Sequence, residues 1–396
     1  MAAGESEHWR SNLSNLLSTQ QWPEDFKPIV TKLSNGERLS KSDGRFLFNT
    51  SDLDSLGQIA YFSKMARYED QVFFNVNVHI NQTNICTLAC RFCAFRRGRR
   101  ADDAYAMEIE EYVSDLRNYA DHVDEVHSVG GLHPEWNVEH YSKLFTRVKE
   151  EFPNIHIKAL TAVEIKHISK LSSLSVRETL QKLKDAGLGS LPGGGAEILD
   201  DEVRAIICRG KESSEEYLEI HQTAHELGIP TNCTMLFGTI ENIDQRLDHL
   251  IKLRELQSIT SGFQCFVPYP FLPDDSRLPE AQLATGTEIL RVIAVSRLML
   301  DNIPHIKAYR MNIGDEVAEL ALQYGADDID GTVQKESIMH LAGSNAPLDH
   351  GKAQLAKLVI NSGSKPVQRN TIYTSFEEYI LPKVPAVQRL RMAAGD

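Results

Sequence analysis

Short segments rich in β-branched and aromatic residues alternate with longer amphipathic segments from about residue 72 onward. We predict β-strands at 72–80, 125–129, 155–160, 189–191, 231–236, 263–267, 306–310 and 327–330. We predict helices between them at 107–120, 138–151, 175–186, 214–227, 243–256, 285–301 and 316–324. Eight strands that alternate with helices predict the α/β class and a parallel (β/α)8 barrel of the TIM type, whose active site lies at the carboxyl ends of the strands.

The residues on either side of this alternation predict additions to the barrel. Of the 396 residues, we expect 1–70 to form an N-terminal helical extension, 71–345 the barrel, and 346–396 a C-terminal extension and tail. Apolar residues at helical spacing predict a helix over 51–68 with Ser51 or Asp52 as its N-cap. Segment 367–373 is expected near the barrel mouth, and the last twenty or so residues, with Lys383, Arg389 and Arg391, are expected to form a surface tail.

Three cysteines stand close together directly after the first predicted strand, and therefore on the catalytic face of the barrel. Cys86, Cys90 and Cys93 follow the spacing C-x3-C-x2-C within residues 84–95, which we call the cysteine loop. Three thiolates in one loop can bind three irons of a [4Fe–4S] cluster, which normally takes four cysteine ligands. One iron would then stay open to a small molecule.

A zinc site is the main alternative for these thiols, and chance clustering is a third interpretation. Structural zinc takes four ligands, and Cys208, Cys233 and Cys265 are distant in sequence. A distant cysteine or histidine could still complete a site, so counting alone leaves zinc open. We expect the three distant cysteines to be small buried thiols.

Charge and composition exclude several classes of protein. A net charge of −13 argues against nucleic acid as a general partner, so any anion site must be local. Six cysteines in a chain this long do not make a disulfide scaffold. We find neither a secretory signal nor an apolar run long enough for a membrane span. These features predict a reduced, cytoplasmic protein.

The cysteine loop, with the aromatic Phe92 before its last cysteine, resembles the loop of radical S-adenosylmethionine (SAM) enzymes. The resemblance implies a [4Fe–4S] cluster on Cys86, Cys90 and Cys93, with SAM chelating the open iron and Phe92 beside the SAM adenine. It also implies a one-electron donor such as flavodoxin or ferredoxin. Cleavage of SAM would release methionine and a 5′-deoxyadenosyl radical, with the cofactor supplying the difficult chemistry.

Glycines and carboxylates after the second, third and fourth strands are candidate SAM-binding residues. Gly130 and Gly131 allow close backbone approach, and the resemblance implies contact with the SAM amino group; an ordinary tight turn is the alternative. Glu164 is expected either to bind a ribose hydroxyl or to be a favourable first-turn charge of a helix. Glu197 follows three glycines in a nest-like loop suited to a ligand, with a simple connector as the alternative.

Basic side chains at predicted strand ends are candidate partners of an anionic substrate. Lys158, Lys307 and Arg310 lie at the third and seventh strands, and His340 lies beyond the eighth. A buried carboxylate must be paired or hydrogen-bonded, so these groups could neutralise one. His133, after the glycine pair, is expected either to touch substrate or to shape the turn.

Over about residues 35–375 the chain resembles a branch of radical SAM enzymes that includes the futalosine-pathway enzymes of menaquinone biosynthesis. Segments 158–165, 299–309 and 325–333 resemble the aminodeoxyfutalosine synthases. That resemblance implies a small dicarboxylate substrate, 3-[(1-carboxyvinyl)oxy]benzoate, to whose vinyl carbon the 5′-deoxyadenosyl radical adds. Rearrangement and loss of bicarbonate would give 6-amino-6-deoxyfutalosine, with SAM consumed as a co-substrate. The sister cyclase, cyclic dehypoxanthine futalosine synthase, is the alternative, and segment 268–271 looks more like that enzyme.

Overall fold

Eleven β-strands are found among residues 8–382, the part of the chain that the computed structural model describes. They are β1 (Gln71–Asn75), β2 (Asn77–His79), β3 (Glu125–Ser128), β4 (His156–Ala159), β5 (Leu188–Ser190), β6 (Thr231–Phe237), β7 (Phe263–Pro270), β8 (His305–Ile306), β9 (Asp328–Gly331), β10 (Lys365–Arg369) and β11 (Phe376–Glu378). The prediction of a surface tail beyond Lys383 falls outside the described residues.

Strands β1 to β9 form a closed parallel barrel, which confirms the predicted fold class. β1 and β2 together make the first barrel strand, and parallel ladders join β2 to β5 in order and β6 to β8 in order. Parallel bridges Leu191–Thr231 and Lys307–Asp328 connect these sheets, and β9 pairs in parallel with β1 to close the ring. The carboxyl ends of eight strands therefore meet at one face.

Sixteen α-helices lie among the described residues. They are α1 (Trp9–Leu17), α2 (Lys27–Ser34), α3 (Lys41–Asn49), α4 (Leu53–Tyr68), α5 (Ile109–Arg117), α6 (Val138–Glu151), α7 (Ala162–Ser172), α8 (Val176–Asp185), α9 (Asp201–Ile207), α10 (Ser214–Glu226), α11 (Ile243–Thr260), α12 (Gly286–Met299), α13 (Arg310–Ile313), α14 (Asp315–Ala321), α15 (Ile338–Leu341) and α16 (Lys352–Asn361). Short 3-10 turns occur at Glu24–Phe26 and Leu322–Tyr324. None of these helices has the length and hydropathy that a membrane span requires.

Helix α4 links the N-terminal helices to the barrel. Of the two predicted N-caps, Asp52 is the one used: its carboxylate accepts a hydrogen bond from the Ser55 N–H at 2.9 Å. α4 packs on α1 and on α12, and Leu56 and Ile59 are fully buried between them. The N-terminal helices therefore cover the outside of the barrel, away from the carboxyl ends of the strands.

The C-terminal strand β10 lies at the base of the barrel, where we had predicted the mouth. β10 pairs in parallel with the amino-terminal half of the first barrel strand, with Gln71 opposite Lys365. From there Arg369 extends inward and donates to the Asp328 carboxylate at 2.5 Å, and the Tyr373 hydroxyl donates to the same carboxylate at 2.8 Å. Segment 365–379 thus closes the end of the barrel opposite the catalytic face.

Candidate active site

A cavity opens at the carboxyl ends of the barrel strands. Its wall includes Cys93 and Phe92 from the cysteine loop, and residues that follow β4, β5 and β7. Apolar groups such as Leu236, Phe271 and Met339 make up much of the wall. The cavity can therefore hold an organic ligand beside the cysteine loop and shield it from water.

Backbone hydrogen bonds hold the cysteine loop across this cavity. The Cys86 N–H donates to the Arg97 carbonyl at 3.0 Å, and the Arg91 N–H donates to the Ile207 carbonyl at 2.8 Å. All three cysteines are free thiols, with Cys90 buried and Cys86 and Cys93 partly exposed. Each influences the titration of its neighbour, Cys90 with Cys93 and Cys93 with Cys86. The structure therefore brings together the three thiols that the sequence singled out.

The chemistry of this donor set fits an iron–sulfur cluster. Within residues 8–382, no three His, Cys, Asp or Glu side chains converge as the ligands of a single metal ion would. Each of three thiolates can bind a different iron of a [4Fe–4S] cluster, which leaves the fourth iron open. Burial raises the pKa of the Cys90 thiol to about 12, so binding iron must displace a proton there.

Lys211 lies beside the cysteine loop, and our reading of the sequence did not predict it. Its ammonium group forms an ion pair with Glu197 and stands 5.4 Å from the centre of the Phe92 ring. Burial lowers the pKa of Lys211, but Glu197, Cys90 and Glu212 more than compensate and raise it well above its usual range. A fixed positive charge is thus held between the cysteine loop and the cavity wall.

Glu164 joins the glycine turn to the start of α7. Its carboxylate accepts hydrogen bonds from the Gly130 N–H at 3.0 Å and from the Thr161 N–H at 2.7 Å. It is 1% exposed, and burial raises its pKa to about 7 against the effect of these donors. Glu164 therefore occupies the first-turn position that we weighed against ribose binding, while Thr161 lines the cavity. Its contact with a ribose stays a prediction.

The two lysines expected to meet substrate carboxylates lie inside the barrel and do not line the cavity. Lys158 is paired with Glu125 at 3.2 Å, and Lys307 is paired with Asp330. Both lysines are almost completely buried. Their side chains point into the barrel interior and pair with carboxylates there, and their contact with a substrate carboxylate stays a prediction.

Three further predicted residues also have protein partners instead of a place on the cavity wall. Arg310 is fully buried and pairs with Asp315 at 3.2 Å. The His133 ring stacks on Trp136 and accepts a hydrogen bond from the Glu135 N–H at 3.3 Å, and its contact with substrate stays a prediction. His340 Nε2 lies 3.0 Å from the Ala346 carbonyl.

Residues that the sequence reading missed line the cavity instead. His79 and His127 project from neighbouring strands, with His127 Nδ1 3.1 Å from His79 Nε2. Tyr269 and Tyr309 stand edge to face, with 5.4 Å between their ring centres. Burial raises the pKa of both tyrosines, so their hydroxyl groups are neutral donors. Polar residues two apart within a predicted strand, as in Asn77 and His79, were the available signal.

Comparisons with known proteins agree with this geometry. Residues 80–253 match the radical SAM superfamily, and residues 260–381 match the CofH/MqnC C-terminal region. The chain is 43% identical over 351 residues to aminodeoxyfutalosine synthase of Thermus thermophilus, covering 87% of this chain and 94% of that one. It is 42% identical to the Streptomyces coelicolor enzyme of the same name over 89% of this chain and 94% of that one.

Other similar proteins have lower sequence identity to the chain. The cyclic dehypoxanthine futalosine synthase of Streptomyces coelicolor is 35% identical, covering 88% of each chain. Among solved structures, methylornithine synthase superimposes with a TM-score of 0.68 over 85% of this chain and 96% of that one, at 20% identity. A maturase of the [FeFe]-hydrogenase gives 0.70 over 93% and 81%, at 14% identity. These two structures share the fold of the chain.

Proposed function

We infer that this chain, which belongs to the radical SAM superfamily and to the family that contains the aminodeoxyfutalosine synthases, is itself an aminodeoxyfutalosine synthase. The observation that carries this inference is identity of 42–43% to two such enzymes over most of the chain. The sister cyclase fits less well, at 35%. The protein is a transferase that joins the 5′-deoxyadenosyl group of SAM to 3-[(1-carboxyvinyl)oxy]benzoate, forming 6-amino-6-deoxyfutalosine with loss of bicarbonate.

Cys86, Cys90 and Cys93 are the residues that would hold the [4Fe–4S] cluster. When bound, the cluster supplies the electron that cleaves SAM. The chain itself contributes a loop fixed by backbone hydrogen bonds and a cavity wall that limits water. Because Cys86 and Cys93 are partly exposed, a one-electron donor such as flavodoxin or ferredoxin can approach the loop from outside.

Side chains around the loop are suited to the polar groups of SAM. Lys211 is a cation next to the cysteines and can pair with the SAM carboxylate. Glu197 lines the cavity and is an acceptor for ribose hydroxyl groups. Phe92 lines the cavity and offers an aromatic face for the adenine, while contact of the Gly130–Gly131 turn with the SAM amino group stays a prediction. Together these groups would orient SAM toward the cavity.

Turnover of each candidate substrate, supplied separately, distinguishes a synthase from a cyclase. Anaerobically reconstituted protein, reduced and supplied with SAM, is given either 3-[(1-carboxyvinyl)oxy]benzoate or dehypoxanthine futalosine, and products are identified by mass spectrometry. We expect turnover of the benzoate alone. Turnover of dehypoxanthine futalosine alone would establish the cyclase instead.

A further inference from the structure

The cavity, as formed by residues 8–382, lacks the permanently charged cations that an enzyme would be expected to place around a dicarboxylate. Among the described residues that line it, none is lysine or arginine. Its two carboxylates, Glu197 and Glu336, are already engaged, the first by Lys211 and the second by backbone N–H groups at the start of α15. Only His79 and His127 on the cavity wall can acquire a positive charge.

The two histidines form one unit because of strand register. His79 on β2 and His127 on β3 are directly paired positions of a parallel ladder, so their side chains project to the same side. Their ring centres are 4.2 Å apart, and His127 Nδ1 and His79 Nε2 share one hydrogen bond. Within residues 8–382, His79 Nδ1 and His127 Nε2 have no protein partner. Both rings therefore keep a nitrogen available to a ligand.

Burial, and for His127 also the neighbouring His79, favours neutral rings in the free enzyme. Burial lowers the pKa of His79 and lowers that of His127 well below its usual range. The charged groups that face the pair are Asp330, Glu336, Glu125 and Lys158; the three carboxylates oppose this lowering and the lysine adds to it. The ionic layer of Lys158 with Glu125 and Lys307 with Asp330 lies within the barrel and is balanced without a ligand.

We propose that the His79–His127 pair binds the benzoate carboxylate of the substrate and takes up one proton as it does so. This proposal rests on the proposed function for the identity of the substrate. A carboxylate brought into contact with the pair favours the imidazolium form, because an opposite charge stabilises the protonated ring. The shared hydrogen bond then leaves N–H groups on both rings directed at the ligand.

The position of the pair selects the benzoate end. Under the proposed function the vinyl carbon must face SAM, which would be held at the cysteine loop, whose Cys93 and Phe92 line the cavity. His79 and His127 lie within their strands, before the loops, and are therefore deeper in the barrel. A substrate that presents its vinyl group to SAM directs its aromatic carboxylate toward them.

Calorimetric titration of the reconstituted enzyme tests this proposal. 3-[(1-Carboxyvinyl)oxy]benzoate is titrated in the presence of S-adenosylhomocysteine, which cannot be cleaved, in two buffers of different ionisation enthalpy. We expect uptake of close to one proton at pH 6 that falls toward zero by pH 8, and a dissociation constant that rises with pH over the same range, by up to about tenfold per unit. His127→Asn and His79→Asn should weaken binding by about ten- to a hundredfold and abolish proton uptake.

His140→Asn is the matched control, because this histidine stacks on Trp136 outside the cavity. It should leave affinity and proton uptake unchanged. If the His79 or His127 variants fold poorly, the proposal is tested on the wild-type enzyme with two probes that each carry only one of the substrate's carboxylates. 3-Methoxybenzoate should bind with proton uptake, and 2-phenoxyacrylate should bind without it.

Three results would overturn the proposal: no proton uptake by the wild-type enzyme, normal binding by folded variants, or proton uptake with phenoxyacrylate alone. If the Tyr269 and Tyr309 hydroxyl groups bound the carboxylate instead, the wild-type enzyme would take up no proton. Product formation is measured separately on the wild-type enzyme. If the adduct forms while the variants bind normally, only this proposal fails. If the dicarboxylate binds with proton uptake but no adduct forms, the proposed function fails and the site stands.

Discussion

Gly131 lies directly against the carbonyl group of Ile85, so that no space remains between them for a Cβ atom. The Gly131 N–H also donates to the Thr83 carbonyl at 2.8 Å. Ile85 immediately precedes Cys86, the first cysteine of the cysteine loop. The glycine turn and the cysteine loop, which are separate motifs in the sequence, are therefore one packed unit in the structure.

Gly131→Ala should displace the cysteine loop, because its new methyl group meets backbone that cannot rotate away. We expect a loss of about 1–3 kcal/mol in the free energy of unfolding and a lower iron content after reconstitution. Gly286→Ala is the control, since nothing lies within 4 Å of a Cβ there. Urea unfolding and iron analysis measure both effects. Normal iron content in Gly131→Ala would show that the turn does not position the loop.

Cys208→Ala should keep the cluster. Cys208 is buried close enough to Cys90 to affect its titration, so it is the one obvious candidate for a fourth ligand. If one iron is open to SAM, Cys208 cannot be a ligand of the cluster. We expect unchanged iron content and an unchanged shift of the EPR spectrum on adding SAM, whereas Cys86→Ala, Cys90→Ala and Cys93→Ala each abolish turnover. Loss of iron in Cys208→Ala would indicate that Cys208 is the fourth ligand of a fully ligated cluster.

Glu164 should make stability depend on pH between about 4.5 and 7. Its folded pKa of about 7 is above the usual value of 4.5, so the native state holds this proton more tightly than the unfolded state. The resulting stabilisation is complete below the lower value and is lost as pH rises through the higher one, a change of about 3 kcal/mol.

The Glu164→Gln variant should lack this component of the pH dependence, because an amide does not titrate. Glu178→Gln is a matched control, since Glu178 forms the same cap with Ser175 at the start of α8 but is exposed, with its pKa lowered. Denaturant unfolding from pH 4.5 to pH 8 measures the two curves. Parallel curves for wild type and Glu164→Gln would contradict the assignment.

Lys307→Ala should mainly reduce stability. It leaves Asp330 as a buried carboxylate without its partner, which costs about 3–5 kcal/mol. The double variant Lys307→Met with Asp330→Asn removes both charges, and asparagine tolerates the left-handed backbone at position 330, where φ is 71°. The double variant should therefore be more stable than Lys307→Ala. Equal stability of the two would mean that the unpaired Asp330 carboxylate costs little.

Much of the barrel is predictable because each strand is a short apolar segment followed by an amphipathic helix. Helix α7 is absent from the predicted helices, although Glu164 was weighed as a first-turn charge and Thr161 and Glu164 have capping-box spacing. β10 was placed at the wrong end because sequence does not show which half of the first strand is left free to pair.

The candidate site also contains residues that the sequence identifies and residues that only the fold reveals. The cysteines are local in sequence, so spacing alone identified them. Lys211 stands in a polar stretch that resembles a solvated surface, and only the fold brings it to Glu197 and Phe92. The His79–His127 pair depends on the register of β2 with β3, which no local pattern encodes. Long-range pairing decides which polar residues face the cavity.

The fate of the adenosyl group tests the central claim most directly. The reconstituted, reduced enzyme is given SAM labelled with ¹³C in its adenosyl ribose together with 3-[(1-carboxyvinyl)oxy]benzoate, and the products are separated by mass. The account predicts the label in 6-amino-6-deoxyfutalosine, one adduct for each methionine released. Label found only in free 5′-deoxyadenosine, with no adduct, would contradict it.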